Sequence, residues 1–179
     1  MNETLASLLC GPRWTRDPDE SKTLRFLPDG TGELVCRVEY HLLIAAEFDW
    51  RLLSSHQFET SDTSNTMDPT TRQYEIELTL TKRRIPKIGE VSTVGMKLNE
   101  EMLKEVAFEP RIYQIRFEQG RFPVCFGPRG AVGYITEWFG LRLILDRCPY
   151  PSPSEWQNEQ AVQFYDLWDK SDFYGQPLE

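Results

Sequence analysis

Residues 26–38 read FLPDGTGELVCRV. The apolar run breaks at Pro28-Asp29-Gly30. Past Gly32, Leu34, Cys36 and Val38 fall on one parity and Glu33, Val35 and Arg37 on the other. A glycine-rich phosphate cradle leads into a helix, whose N-terminus holds the anion. Alternation at period two is a strand instead. No third glycine and no Gly-Lys-Ser/Thr follows, so a P-loop is excluded. Asp-Gly between two strand patterns is a hairpin signal, and the stretch reads as a tight corner in a sheet.

The same period runs outward from that corner. Leu24 and Phe26 share a face before it, and Tyr40 continues the face of Leu34 after it. Phe48, Trp50 and Leu52 alternate with Glu47, Asp49 and Arg51; Tyr74, Ile76, Leu78 and Leu80 alternate with Glu75, Glu77, Thr79 and Thr81. Tyr113, Ile115 and Phe117 form a third set, with a hairpin turn predicted at Gln119-Gly120 and Phe122, Val124 and Phe126 on the returning strand. "VGYITEWFGLRLILDR", residues 132–147, supplies the last one or two strands. Between these lie a Ser/Thr/Asp-rich segment, 54–72, predicted as a mobile loop, and Lys82-Arg83-Arg84 with Lys87, predicted as a solvated turn. "LNEEMLKEVAF" predicts one or two helical turns capped by Asn99, with a strand over "MLKEVAF" as the alternative.

Helical patterns stand at both ends. Leu5, Leu8 and Leu9 have helical spacing, with Asn2 as the cap and Gly11-Pro12 as the stop. Ser154 to Gln157 has a capping-box pattern. Trp156, Ala161, Phe164, Tyr165 and Trp168 then make one stripe of a predicted helix over 154–169. The chain thus predicts a mainly β, antiparallel barrel with a short N-terminal and a C-terminal helix, as one domain over 1–179. The absence of β-α-β alternation excludes a doubly wound sheet.

Composition narrows the function classes. Of the 179 residues, 28 are acidic and 20 are Lys or Arg, giving a net charge of -8. That balance disfavours nucleic acid and anionic membranes as partners. No apolar run approaches a membrane span. The four cysteines include no C-x-x-C pair, and two histidines are present, so neither a metal nor another cofactor is expected. The N-terminus lacks a signal-peptide pattern, and a cytoplasmic protein with free thiols is expected.

A short helix ending in "LLCGPRW", an apolar strand, "DGTGEL" and an alternating strand ending in "FDW" together resemble the lipocalin-like calycins over residues 5–53. The resemblance implies a lipocalin-like barrel in which Trp14 closes one end and a late-strand arginine, Arg142 or Arg147, packs over it. It also implies an interior that holds one small apolar ligand. The spacing here is Gly-x-x-Trp where the family has Gly-x-Trp, and the Thr-Asp-Tyr motif of classical members has no counterpart.

The aromatic inward positions Tyr40, Trp50, Tyr74, Tyr113, Phe117 and Trp138 are the candidate wall of a ligand pocket, because aromatics suit apolar sites. An alternative is a cofactor-free isomerase or cyclase acting on an apolar metabolite in that pocket. Its acid–base or anchoring candidates are His41, Glu47 and Arg116. A further alternative is a filled barrel serving as a protein-interaction module. Oligomeric state is not written in this sequence.

Overall fold

In the computed structural model the described residues are 5–38, 41–57, 72–125, 136–163, 165, 168 and 170–178. The elements are α1 (Leu5–Cys10), β1 (Trp14–Thr15), β2 (Lys22–Phe26), β3 (Thr31–Val38), β4 (His41–Gln57), β5 (Arg72–Arg84), β6 (Lys87–Ile88), β7 (Val91–Ser92), β8 (Arg111–Cys125), β9 (Thr136–Leu145), α2 (Glu159–Val162) and β10 (Asp172–Leu178). Strands β1 to β5 and β8 to β10 form one antiparallel sheet, each strand paired to the next in this order. β10 pairs back to β1, closing the barrel, while β6 and β7 form a separate ribbon. Closure rests on the two-residue β1, which meets β10 only at Tyr174, so among the described residues the rest of β10 is unpaired on that side.

The corner at Pro28-Asp29-Gly30 forms as its residues dictate. Gly30 takes φ +87°, its N–H donates to the Leu27 carbonyl, and the Leu27 N–H donates to Thr31. The Asp29 carboxylate accepts from the Thr31 N–H and hydroxyl, which holds it below the usual carboxylate range. Leu24, Phe26, Leu34, Cys36, Ile44, Phe48, Ile76, Tyr113, Ile115, Leu143 and Phe173 are buried in one continuous cluster inside the ring. The alternation therefore becomes an interior face and a wet face.

The end of the barrel away from α1 is capped by two crossing segments. Short 3-10 turns at Asn99–Glu101 and Glu105–Phe108 meet the stretch after β9 in a bridge between Leu103 and Trp156. Trp156 is buried, and its Nε1 donates to the Pro151 carbonyl. A second, smaller core lies outside the ring, where Ile85 and Leu98 cover Val35 and Ala45.

Four expectations are corrected. The hairpin at Gln119-Gly120 does not form: β8 runs through it as one strand, and the extra residues become a bulge between Gln119 and Phe122 opposite β9. The 54–72 segment is shorter than expected, because 54–57 extend β4 and Arg72 opens β5, with Gln57 paired to Arg72; residues 58–71 lie outside the described residues. The tract Lys82-Arg83-Arg84 is the end of β5 and not a turn.

The C-terminal helix is the fourth. It reduces to a 3-10 turn at Pro153–Glu155 and the four-residue α2, capped by the Asn158 side chain. The capping carboxylate is that of Glu155, which accepts from the Ser152 N–H and hydroxyl. Of the predicted stripe, Trp156 packs edge-on against Trp168 at 6.2 Å, Ala161 is exposed, and Phe164 lies outside the described residues. The chain then returns as β10, a strand the sequence concealed. The expected Asn2 cap also lies outside the described residues.

Candidate functional site

The chain directions place α1, the β2–β3 corner, the ends of β4 and β8 and the start of β9 at one end of the barrel. Two groups of inward aromatics line that end. On the β2–β4 wall Trp50 stands edge-on to Phe26 at 5.5 Å, and Phe26 edge-on to Phe48 at 5.2 Å. Trp50 Nε1 donates to the Leu27 and Thr31 carbonyls. Its polar edge is thereby satisfied, and the rest of the ring presents apolar surface. A second group reaches across the interior: Phe117 of β8 lies 6.1 Å from Tyr74 of β5 and 5.9 Å from Trp14, which stands on β1 beside Leu24 of β2.

Trp14 joins this group to α1. Its ring is fully buried and its Nε1 donates to the Leu9 carbonyl at 2.9 Å. Leu9 is buried against the core while Leu5 and Leu8 are half-buried on it. The helix is thus an apolar plug laid on the core at this end. Trp50 and Phe117 are also only partly buried, although Ile44, Ala46, Ile76 and Leu143 deeper in the ring are sealed. Leu52, next along β4, is 46% exposed.

Of the expected wall residues, Trp50, Tyr74 and Phe117 come together here. Tyr113 lies inward and buried but is covered by the Arg147 guanidinium, 5.0 Å from its ring; burial pushes its hydroxyl above the usual tyrosine range. Trp138 is a correction: the odd positions Phe139, Leu141, Leu143 and Leu145 take the interior, so Trp138 falls outside, 38% exposed with the Arg121 guanidinium stacked on it. Tyr40 lies outside the described residues. Sequence reading missed Trp14, Phe26 and Phe48 as wall residues and α1 as a plug. Their signal was present in the alternation and in the helical spacing of the leucines, but nothing in it says which inward positions lie near an end.

The three acid–base candidates do not converge. His41 is exposed and opens β4 at the far end of the barrel, paired with Val38. Glu47 is on the outer face, where Arg83 bridges it and Asp49. Arg116 is also outside, 3.6 Å from Glu118. The arginine expected over Trp14 is a further correction. Arg142 stacks on Phe122 and pairs with Glu118, because its parity on β9 is outward.

A buried polar group closes the far end. The Arg16 guanidinium sits 5.4 Å from the Tyr150 ring centre and 5.2 Å from that of Phe173, with Cys148 Sγ 3.6 Å from its Nη2. Tyr150 donates to the Val35 carbonyl at 2.8 Å. Burial holds the Tyr150 hydroxyl well above its ordinary range and pushes the Cys36 thiol up to about 12. Both groups stay protonated at neutral pH, which suits packing and not nucleophilic chemistry.

Compared with family models, curated proteins and solved structures, the chain shows no significant match.

Proposed function

We propose that the protein is a lipocalin-like barrel that binds a small hydrophobic molecule at the α1 end, against the Trp50–Phe26–Phe48 and Tyr74–Phe117–Trp14 groups. The observation that carries the reading is the partial exposure of Trp50 and Phe117, inward residues of an otherwise sealed ring. The closed meander and the hydrogen bond from Trp14 to α1 support the family resemblance. A ligand covering about 200 Å² of apolar wall gains roughly 5 kcal/mol gross, most of which the lost translational and rotational freedom of the ligand offsets. Tighter binding requires α1 to give way and expose more of the walls. Neutral lipophiles should therefore raise the melting temperature in a thermal-shift screen, while their polar analogues should not.

The enzymatic alternative has weaker support, because His41, Glu47 and Arg116 stand on different sides of the barrel and none lies at this end's interior. One observation favours the interaction-module reading. Pro123, Trp138 and Leu178 lie side by side across β8, β9 and β10, all exposed. Self-association that Trp138→Ser abolishes would support it, and a concentration-independent monomer would remove it. Among the described residues no helix is long and apolar enough to cross a membrane.

A further inference from the structure

We propose that a second site, the groove between the outer face of β2–β3 and the β6–β7 ribbon, binds a compact organic anion: a carboxylate or phosphate head on a small apolar body. The groove has a volume of about 380 Å³, within the range of small-molecule sites, about 300–1,000 Å³. It lies outside the ring and shares nothing with the aromatic end.

Its shape follows from strand parity and from one anchored loop. Leu24 and Phe26 face the core, so Thr23 and Arg25 face out. Leu34 and Cys36 face the core, so Glu33, Val35 and Arg37 face out. Past β5 the chain is fastened over this face. The Ile85 N–H donates to the Ala45 carbonyl, the Thr93 hydroxyl donates to the Ile85 carbonyl, and Arg84 donates to the Thr93 and Met96 carbonyls. These ties hold the ribbon as a fixed wall. Buried Val35 and Ile85 with half-buried Ile88 form an apolar floor.

Cations from four separate segments rim that floor: Arg13, Arg25, Arg37 and Lys87. The rim also carries Asp19, Glu20 and Glu33. Set against these three carboxylates, the four cations leave the rim slightly positive in a chain of net charge -8. Arg13 meets Glu20 at 3.1 Å and Arg25 meets Glu33 at 3.6 Å, both as solvated pairs, which are worth little and exchange partners cheaply. Arg37 donates to the Asp19 carbonyl. Among the described residues neither Arg37 nor Lys87 has a carboxylate within ion-pair distance. An anionic head between Arg37 and Lys87, with its body on Val35 and Ile88, matches both the charge and the apolar floor.

The test is an amide NMR titration of the full chain with phenyl phosphate, benzoate, benzyl alcohol and inorganic phosphate. Phenyl phosphate or benzoate should shift the amides of Thr23, Arg25, Val35 and Ile88 saturably, and the tighter of the two names the head group. Affinity should fall as salt rises, since these charges are exposed. It should drop about tenfold in a Lys87→Gln, Arg37→Gln protein. Lys87→Gln alone, which disturbs no side-chain hydrogen bond among the described residues, should show part of that loss with an unchanged melting temperature. Equal binding of benzyl alcohol, inorganic phosphate binding as tightly as phenyl phosphate, or a Lys87→Gln protein of unchanged affinity would each overturn the proposal.

Discussion

The side chain of Asn99 pairs with the backbone of Ala45 as a neighbouring strand would. The Ala45 N–H donates to Asn99 Oδ1, and Asn99 Nδ2 donates to the Ala45 carbonyl, both at 2.9 Å. The pair sits where β4 and β5 lose register between Ala46 and Phe48. Asn99 is fully buried at φ +51°, a conformation asparagine tolerates better than most residues. The sequence suggested Asn99 as a helix cap. Its side chain instead satisfies another element and so fastens the 3-10 segment to the barrel.

Asn99→Ala should therefore destabilise the protein by about 1–3 kcal/mol, since the buried Ala45 N–H loses its partner while the Ala45 carbonyl keeps only the Ile85 N–H. Urea denaturation reads this as a lower midpoint at unchanged slope. A loss under about 0.5 kcal/mol would mean that water replaces the amide.

Gly32 is required for a packing reason. A Cβ there would stand 2.1 Å from the Phe48 ring and 2.5 Å from the Arg25 carbonyl. Gly32→Ala should cost about 2–3 kcal/mol. Adding Phe48→Leu should recover part of it, because the ring can be removed and the carbonyl cannot. Denaturation of the single and double variants measures the coupling.

The Cys36 thiol predicts how stability depends on alkaline pH. Burial raises it from its ordinary 9.0 to about 12 in the folded chain. Between these values the unfolded chain releases a proton that the folded one keeps, so stability falls as pH rises through that window. Cys36→Ala should flatten this part of the curve, measured by denaturation at pH 8 to 11. In the native protein at neutral pH, exposed Cys125 should react with a thiol reagent while Cys36 reacts only on unfolding. Prompt reaction of Cys36 would contradict its burial.

Arg83 bridges Glu47 and Asp49 on the exposed face of the sheet. Being solvated, the bridge should contribute little. Arg83→Ala should cost under about 1 kcal/mol, and less at high salt. A cost above about 2 kcal/mol would mean that this face is covered.

Much of the barrel was legible because alternation is a local signal. The faces of β2 to β5 follow from it directly, and Asp29-Gly30 announced its turn; in β9, where Trp138 and Phe139 compete for the interior, the parity was read the wrong way. What escaped depends on distant partners. In β10, Gly175 and Pro177 argue against a strand. Gly175 is small because Pro12 and Trp14 pass over it, with a Cβ there only 2.8 Å from Pro12. Pro177 is tolerated because β1 reaches only Tyr174 opposite β10, so no ladder bond is lost on that side. Gly120 resembled a hairpin turn because a bulge uses the same residue types. At the candidate site, Trp50, Tyr74 and Phe117 were readable as inward residues. That α1 lies beside them was not, since nothing local to residues 5–10 records which end of a barrel they meet.

The most direct test of the binding account is a titration with the neutral fluorophore N-phenyl-1-naphthylamine, which has no charge to engage the outer groove. Its emission should rise saturably with one site per chain. Trp50→Ala and Phe117→Ala should each weaken it about tenfold, while Trp138→Ala, on the outer face, should leave it unchanged. A flat titration, or binding insensitive to Trp50 and Phe117, would contradict the claim that the α1 end of the barrel is the ligand site.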